Sequence, residues 1–170
     1  MDIIVARPEH VEAMTAITDR AKANMAAMGI DQWQAGYPDR ATWEADVAEG
    51  MAYVGLEGGR VVAVFRYSNA PEAAYDTLEG EWLTAGPYAT IHRCAVDPDE
   101  RGRGLIAELF QFACDKAAAE GMTSMRIDTH ADNAPMGRAV EKFGFTYCGA
   151  ITLTEGPEAG GARIAFEKVL

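Results

Sequence analysis

Val96-Asp97-Pro98-Asp99-Glu100-Arg101-Gly102-Arg103-Gly104-Leu105-Ile106-Ala107 links a strand pattern to a helix pattern through a turn whose side chains are largely either absent or charged. Upstream, Ala89 to Val96 is a short apolar and β-branched run bounded by Pro98, as a strand requires. Downstream, Leu105, Ile106, Leu109, Phe110, Ala113 and Ala117 recur at helical spacing, with Glu108, Gln111 and Asp115 between them. A helix beginning near Arg103 aims its unpaired N–H groups and the positive end of its dipole at whatever lies over Gly102 and Gly104. Anions collect at such ends. The glycines permit close backbone approach, and Arg101 and Arg103 add charge-assisted donors.

Three readings compete for this turn. It can be a tight turn and nothing more. Gly102-x-Gly104-x-x-Ala107 also satisfies the glycine pattern of a dinucleotide fingerprint. In that fingerprint, however, the strand runs straight into the first glycine, whereas Asp97 to Arg101 intervene here, and too little chain follows to complete a doubly wound sheet. RNA, which an Arg-Gly-Arg-Gly string can also suggest, is not among them, because RNA binding needs a basic field and the formal charge is -11. The third reading is an anion cradle, and it is tested by the rest of the chain.

At 170 residues, with 49% hydrophobic and 24% charged residues, the chain reads as one globular domain spanning 1–170. The 26 carboxylates against 15 Lys and Arg keep it soluble, argue against nucleic acid and favour a cationic small substrate. Cys94, Cys114 and Cys148 are odd in number and lack metal-ligand spacing, so reduced thiols and no metal are expected. Without a basic n-region followed by an apolar stretch, or any run near the ~20 residues of a membrane span, the reading is cytoplasmic, with no membrane partner.

Taken in order, Asp2 to Arg7 is a strand, and Pro8 opens a helix whose stripe runs Val11, Met14, Ile17, Ala21 and Met25 to Gly29. Ile30 to Pro38 has neither period but carries Trp33 and Tyr37 among amides, the composition of a binding loop. A short helix over Thr42 to Glu49 precedes a hairpin, Met51 to Leu56 and Arg60 to Tyr67, turned by Glu57-Gly58-Gly59. Ser68 to Pro87 is a long connection of the kind that rims a site. After the organising strand and its helix come a parallel strand at Met125 to Thr129 and a short helix capped by Asp132 or Asn133. Two strands, Phe145 to Gly149 and Arg163 to Val169, complete a mixed twisted sheet of about seven strands with helices on both faces, an α/β fold.

Two segments carry a resemblance to a known family. Arg101-Gly102-Arg103-Gly104 resembles the acetyl-CoA pyrophosphate loop of the GNAT superfamily of N-acyltransferases, with Ile106 standing where the family's pattern has Gly or Ala. Met125 to His130, then Ala131 to Met136, then Glu141-Lys142-Phe143-Gly144-Phe145 resembles the strand, Asn, short helix and Lys-x-Gly-Phe series that comes after that loop in the family. Together they cover roughly the C-terminal half. The resemblance implies a GNAT-like fold and acetyl-CoA as co-substrate, with its diphosphate on Arg101, Gly102, Arg103, Gly104, Leu105, Ile106 and Ala107. It places the pantetheine arm beside Cys94, Ala95 and Val96, and Asn133 at the same site.

The implied reaction is acetyl transfer to a primary amine of a small molecule or peptide, by direct attack through a tetrahedral intermediate whose oxyanion a backbone N–H near Cys94 stabilises. A base must take the amine's proton. His92 is the first choice, because it lies on the strand expected to hold the thioester. His130 and Glu81 are the second and third, and Trp33 and Tyr37 are expected to shape the acceptor site. A Tyr common in the family seven residues after the capping Asn is Val140 here, leaving protonation of the thiolate to Tyr147 or water. Ile106 and Val140 keep an alternative open, a non-catalytic acyl-CoA-binding module or sensor. A homodimer would also suit the family.

Overall fold

A computed structural model describes residues 1–170. Its strands are β1 (Asp2–Val5), β2 (Ala52–Glu57), β3 (Arg60–Ser68), β4 (Glu79–Gly80), β5 (Tyr88–Val96), β6 (Ser124–Thr129), β7 (Thr146–Thr152) and β8 (Ala162–Val169). Its helices are α1 (Val11–Ala27), α2 (Arg40–Ala48), α3 (Leu105–Ala119) and α4 (Ala134–Phe143). The strands form one sheet in the order β1-β2-β3-β5-β6-β8-β7-β4. Only β5 and β6 pair in parallel, joined by the α3 crossover. No helix is long and apolar enough to cross a membrane.

Strand alternation divides the core between the two faces. Phe65, Ile91, Met125 and Phe166 pack with Leu109 and Phe110 of α3 and with Val140 of α4. On the other face Val54 and Val64 meet Met14 of α1 and Trp43 of α2. Trp43 is fully buried, and its indole N–H donates to Thr18 Oγ1 at 3.2 Å, so the polar end of the largest side chain in that layer is satisfied.

The structure adds one strand to the expected seven. β4 lies within the Ser68 to Pro87 connection, where Gly80 meets Gly149 of β7 so closely that a Cβ on Gly80 would stand 2.0 Å from Cys148 O. Paired glycines make a strand there that hydrophobic period cannot signal. Helix starts also shift. Pro8–His10 is a 3₁₀ turn ahead of α1, and α2 begins at Arg40 because Asp39 caps it, accepting from Thr42 N at 2.8 Å. α3 begins at Leu105 rather than near Arg103, because Gly102 and Gly104 hold left-handed φ values of 79° and 80°.

A buried ion pair fastens the long connection to the sheet. Arg126 of β6 and Glu167 of β8 are register partners, with Nε to Oε1 at 3.0 Å. Glu167 also accepts from Ser124 Oγ, Thr84 Oγ1 and the amides of Leu83 and Thr84. The Arg126 guanidinium lies between the Trp82 and Tyr88 rings, 3.9 Å from each centroid. Burial alone would raise the Glu167 carboxyl; its hydrogen bonds and Arg126 hold it below the usual range. Arg126→Met leaves a carboxylate buried beside an apolar chain, and urea denaturation is expected to show a loss of about 3–5 kcal/mol. A loss under about 1 kcal/mol, the value of a surface pair, would contradict this role.

Candidate active site

The sheet opens where β5 and β6 part. Their pairing covers Tyr88↔Ser124, Ala89↔Met125 and Thr90↔Arg126 and then stops, while β6 stays paired with β8 through Thr129↔Ile164. On its other flank β5 bulges against β3: Val64 faces Ala95 and Arg66 faces His92, so Phe65 opposes both Arg93 and Cys94. Arg93 takes a φ of 53°, a left-handed conformation costing a non-glycine residue roughly 1–2 kcal/mol. Its side chain holds it there, with Nη1 2.9 Å from Asp46 Oδ2 and the guanidinium 5.1 Å from the Tyr37 ring centroid.

The opening is a cavity of about 820 Å³. At one end lies the turn before α3. The amides from Arg101 to Ile106 donate to no group of the protein, whereas Ala107 N is spent on Gly104 O at 2.9 Å. A Cβ on Gly102 or Gly104 would meet nothing within 4 Å, so these residues face open space and are glycine for φ alone. A run of free amides under an open cavity, at a helix start, is a fit for a diphosphate. Arg101 lines this end, is exposed and makes no ion pair. Asn133 caps α4, accepting from Met136 N at 3.2 Å, and its Nδ2 donates to Gln32 Oε1 at 2.8 Å, tying the Ile30 to Pro38 loop to the cavity wall.

At the other end stands a cluster of titratable groups. His92 Nε2 lies 2.9 and 3.0 Å from the two Glu72 oxygens, and Nδ1 faces Asp128 Oδ2 at 3.6 Å. Tyr75 OH donates to the same Asp128 oxygen at 3.0 Å. Burial works against the His92 cation, but Glu72 and then Asp128 overcome it and raise the pKa. Burial also opposes the Glu72 charge, yet His92, Thr90 and Arg66 pull its pKa down to about 2. Asp128 is raised by burial, against His92 and Tyr75.

The acetyltransferase (GNAT) family model matches residues 13–145. The chain belongs to that family. A GNAT-family acetyltransferase from Streptococcus agalactiae 2603 shares 32% identity over 99% of this chain and 95% of its own, with a TM-score of 0.87. A GNAT-family acetyltransferase from Listeria monocytogenes 4b F2365 shares 18% over 99% and 94%, with a TM-score of 0.73. A ribosomal-protein-alanine N-acetyltransferase from Brucella melitensis shares 19% over 100% of each chain, with a TM-score of 0.69. The last two likenesses are of fold. No curated protein matches.

Within this GNAT chain the residues singled out from sequence divide sharply. Trp33, Tyr37, His92, Cys94, Ala95, Val96, Arg101, Gly102, Gly104, Leu105, Ile106 and Asn133 all line the cavity. Arg103 does not: it turns back to Glu57, with Nη1 to Oε2 at 2.9 Å, and to Glu100. Ala107, with its amide spent inside the helix, does not either. Glu81 is exposed and outside the cavity lining. His130 Nδ1 accepts from Asp132 N at 3.3 Å, a turn-closing bond outside the cavity. Tyr147 is exposed on β7. His92 lines the cavity from β5, but its Nε2 is engaged by Glu72, which raises its pKa and leaves it less available as a base. Asp128, Glu72 and Tyr75 were missed. Asp128 had a signal, an acid on a strand expected to lie within the sheet, whereas Glu72 lies in a connection with no pattern to read.

Glu72→Gln removes the largest force sustaining the His92 cation, so the imidazole's NMR titration midpoint is expected to fall. The signs also fix stability. The His92 contribution is full below its unfolded value of ~6.5 and is lost as pH rises through the folded pKa, and this loss should shrink in the variant. The Glu72 contribution is present above about 4.3 and is lost as pH falls toward the folded value. An unchanged His92 midpoint would refute the pairing.

Proposed function

We propose that the protein transfers an acetyl group from acetyl-CoA to a primary amine of a small molecule or peptide, by direct attack of the amine on the thioester. The run of free amides from Arg101 to Ile106, opening onto the gap between β5 and β6, carries this reading. Those amides and Arg101 would hold the diphosphate. The unpaired edge of β5 at Cys94, Ala95 and Val96 would pair with the amide-rich pantetheine arm, and Asn133 borders the same channel. Bound there, acetyl-CoA supplies an activated acyl group.

The chain's own contribution is orientation, charge and proton transfer. A main-chain N–H at the Arg93–Cys94 bulge is the candidate donor to the oxyanion of the tetrahedral intermediate. The Cys94 thiol is not the nucleophile in this scheme, since burial pushes its pKa far above the usual range. Trp33 and Tyr37 wall the acceptor end, where the amine approaches His92 and its carboxylate partners. The three cysteines are buried and unpaired, in keeping with a cytoplasmic protein.

A thiol-release assay with acetyl-CoA over polyamines, aminoglycosides, amino acids and peptide N-termini tests the reading. Saturable turnover of one acceptor is expected, with Cys94→Ala retaining most of it. Saturable CoA binding without turnover would favour the acyl-CoA-binding module that Ile106 and the core-facing Val140 leave open. Gly104→Val disfavours the left-handed φ, so the free turn is expected to relax away from the cradle, and restoring it at a cost of ~1–2 kcal/mol should weaken CoA binding about tenfold in calorimetry. Undiminished affinity would remove the turn from the site.

A further inference from the structure

Across the opening, side chains on one face of the sheet continue a ladder that has lost its rungs. Thr90 and Arg126 are the last paired residues of β5 and β6. The next side chains on that face are His92 and Asp128, which meet at 3.6 Å. Asp128 is nearly buried, with its side chain 8% exposed, and it lines the cavity. Oδ2 accepts from Tyr75 OH and faces His92. Oδ1 makes no hydrogen bond within the protein, yet it is not among the sealed, unpartnered atoms, so it opens on the cavity. One oxygen is fixed and the other is free.

We propose that Asp128 is the catalytic base, its free Oδ1 taking the proton from the acceptor amine, while the His92–Glu72 pair positions the carboxylate. This rests on the N-acyl transfer reading above. The neighbouring groups fit worse. Both Glu72 oxygens are engaged by His92 Nε2, and that carboxyl is a weak base. His92 has Nε2 committed to Glu72 and Nδ1 facing Asp128, so neither ring nitrogen is open to the amine. Burial keeps the Tyr75 phenol protonated. Burial of Asp128 raises its basicity, while His92, Tyr75 and the Arg163 charge from β8 keep the carboxylate form accessible against Glu72.

The proton balance is complete. An ammonium acceptor gives its first proton to Asp128, and the freed lone pair forms the N–C bond. The C–S bond breaks, its electron pair leaving with sulfur. The nitrogen's second proton passes through solvent to the thiolate, and Asp128 returns its proton to solvent.

The test uses Asp128→Asn and Tyr75→Phe in the full chain, with the fastest acceptor from the amine panel. Asp128→Asn should keep CoA affinity, lose at least ~100-fold in kcat/KM and lose the acidic limb of its pH profile, the rate then rising with hydroxide. Tyr75→Phe removes the donor that favours the carboxylate, so the acidic limb should move to higher pH with most of kcat kept. An Asp128→Asn variant with a wild-type pH profile and rate would overturn the proposal. Carboxyl 13C NMR of the wild-type CoA complex decides independently of any acceptor: Asp128 is expected to be ionised by pH 8, and one still protonated there overturns it. Wild-type protein that fails to bind CoA refutes the acyl-transfer reading itself, a different failure.

Discussion

The structure depends on the parting of two parallel strands. A sheet interior normally satisfies every backbone N–H and C=O, and an unpaired buried group costs as much as a lost hydrogen bond. β5 and β6 leave their ladder after Thr90 and Arg126, and the fold bears that cost by securing each strand elsewhere. β6 keeps a full antiparallel ladder with β8. β5 keeps β3, accepting a bulge and a left-handed Arg93 held by Asp46 and Tyr37. Both strands are thus anchored on their outer flanks, and the edge of β5 that β6 leaves is the kind of backbone surface the proposed reading gives to an extended, amide-bearing ligand.

The same divergence builds the polar cluster. Where the ladder is intact, Arg126 is sealed under Trp82 and Tyr88 and committed to Glu167, a purely structural pair. One step beyond, Asp128 has no cross-strand backbone partner on β5 to close over it, and its side chain reaches His92 and the cavity. Arg126 and Asp128 are neighbours on one strand face, one fixing the long connection and the other facing the cavity. That connection then delivers Glu72 and Tyr75 to the cluster, with Glu72 N donating to Tyr88 OH at 2.9 Å.

Much of this was legible in the sequence because it rests on short-range rules. The helical stripe of α3, a cap at Asp132 or Asn133, which the structure gives to Asn133, and the glycines at 102 and 104 each act within a few residues, and the amphipathic periods located nearly every element. The features that escaped depend on contacts distant in sequence. Arg103 and Arg101 are equivalent as letters, but Glu57, on another strand, claims Arg103 and leaves Arg101 free. β4 exists because Gly80 and Gly149 meet, and Glu72 acquires a role because Thr90 and His92 anchor it. His92 lies on β5 and lines the cavity, but its pKa is raised by carboxylates 20 and 36 positions away, which no local pattern encodes.

The central claim is that the unpartnered amides from Arg101 to Ile106 bind a diphosphate and the open edge of β5 binds the pantetheine arm. Amide 1H–15N NMR during titration with CoA tests it most directly. The expected result is saturable, downfield movement concentrated at Arg101 to Ile106, with a second set at Cys94 to Val96 and little change at Ala107. Saturable binding that leaves those amides unmoved and shifts resonances elsewhere would contradict it.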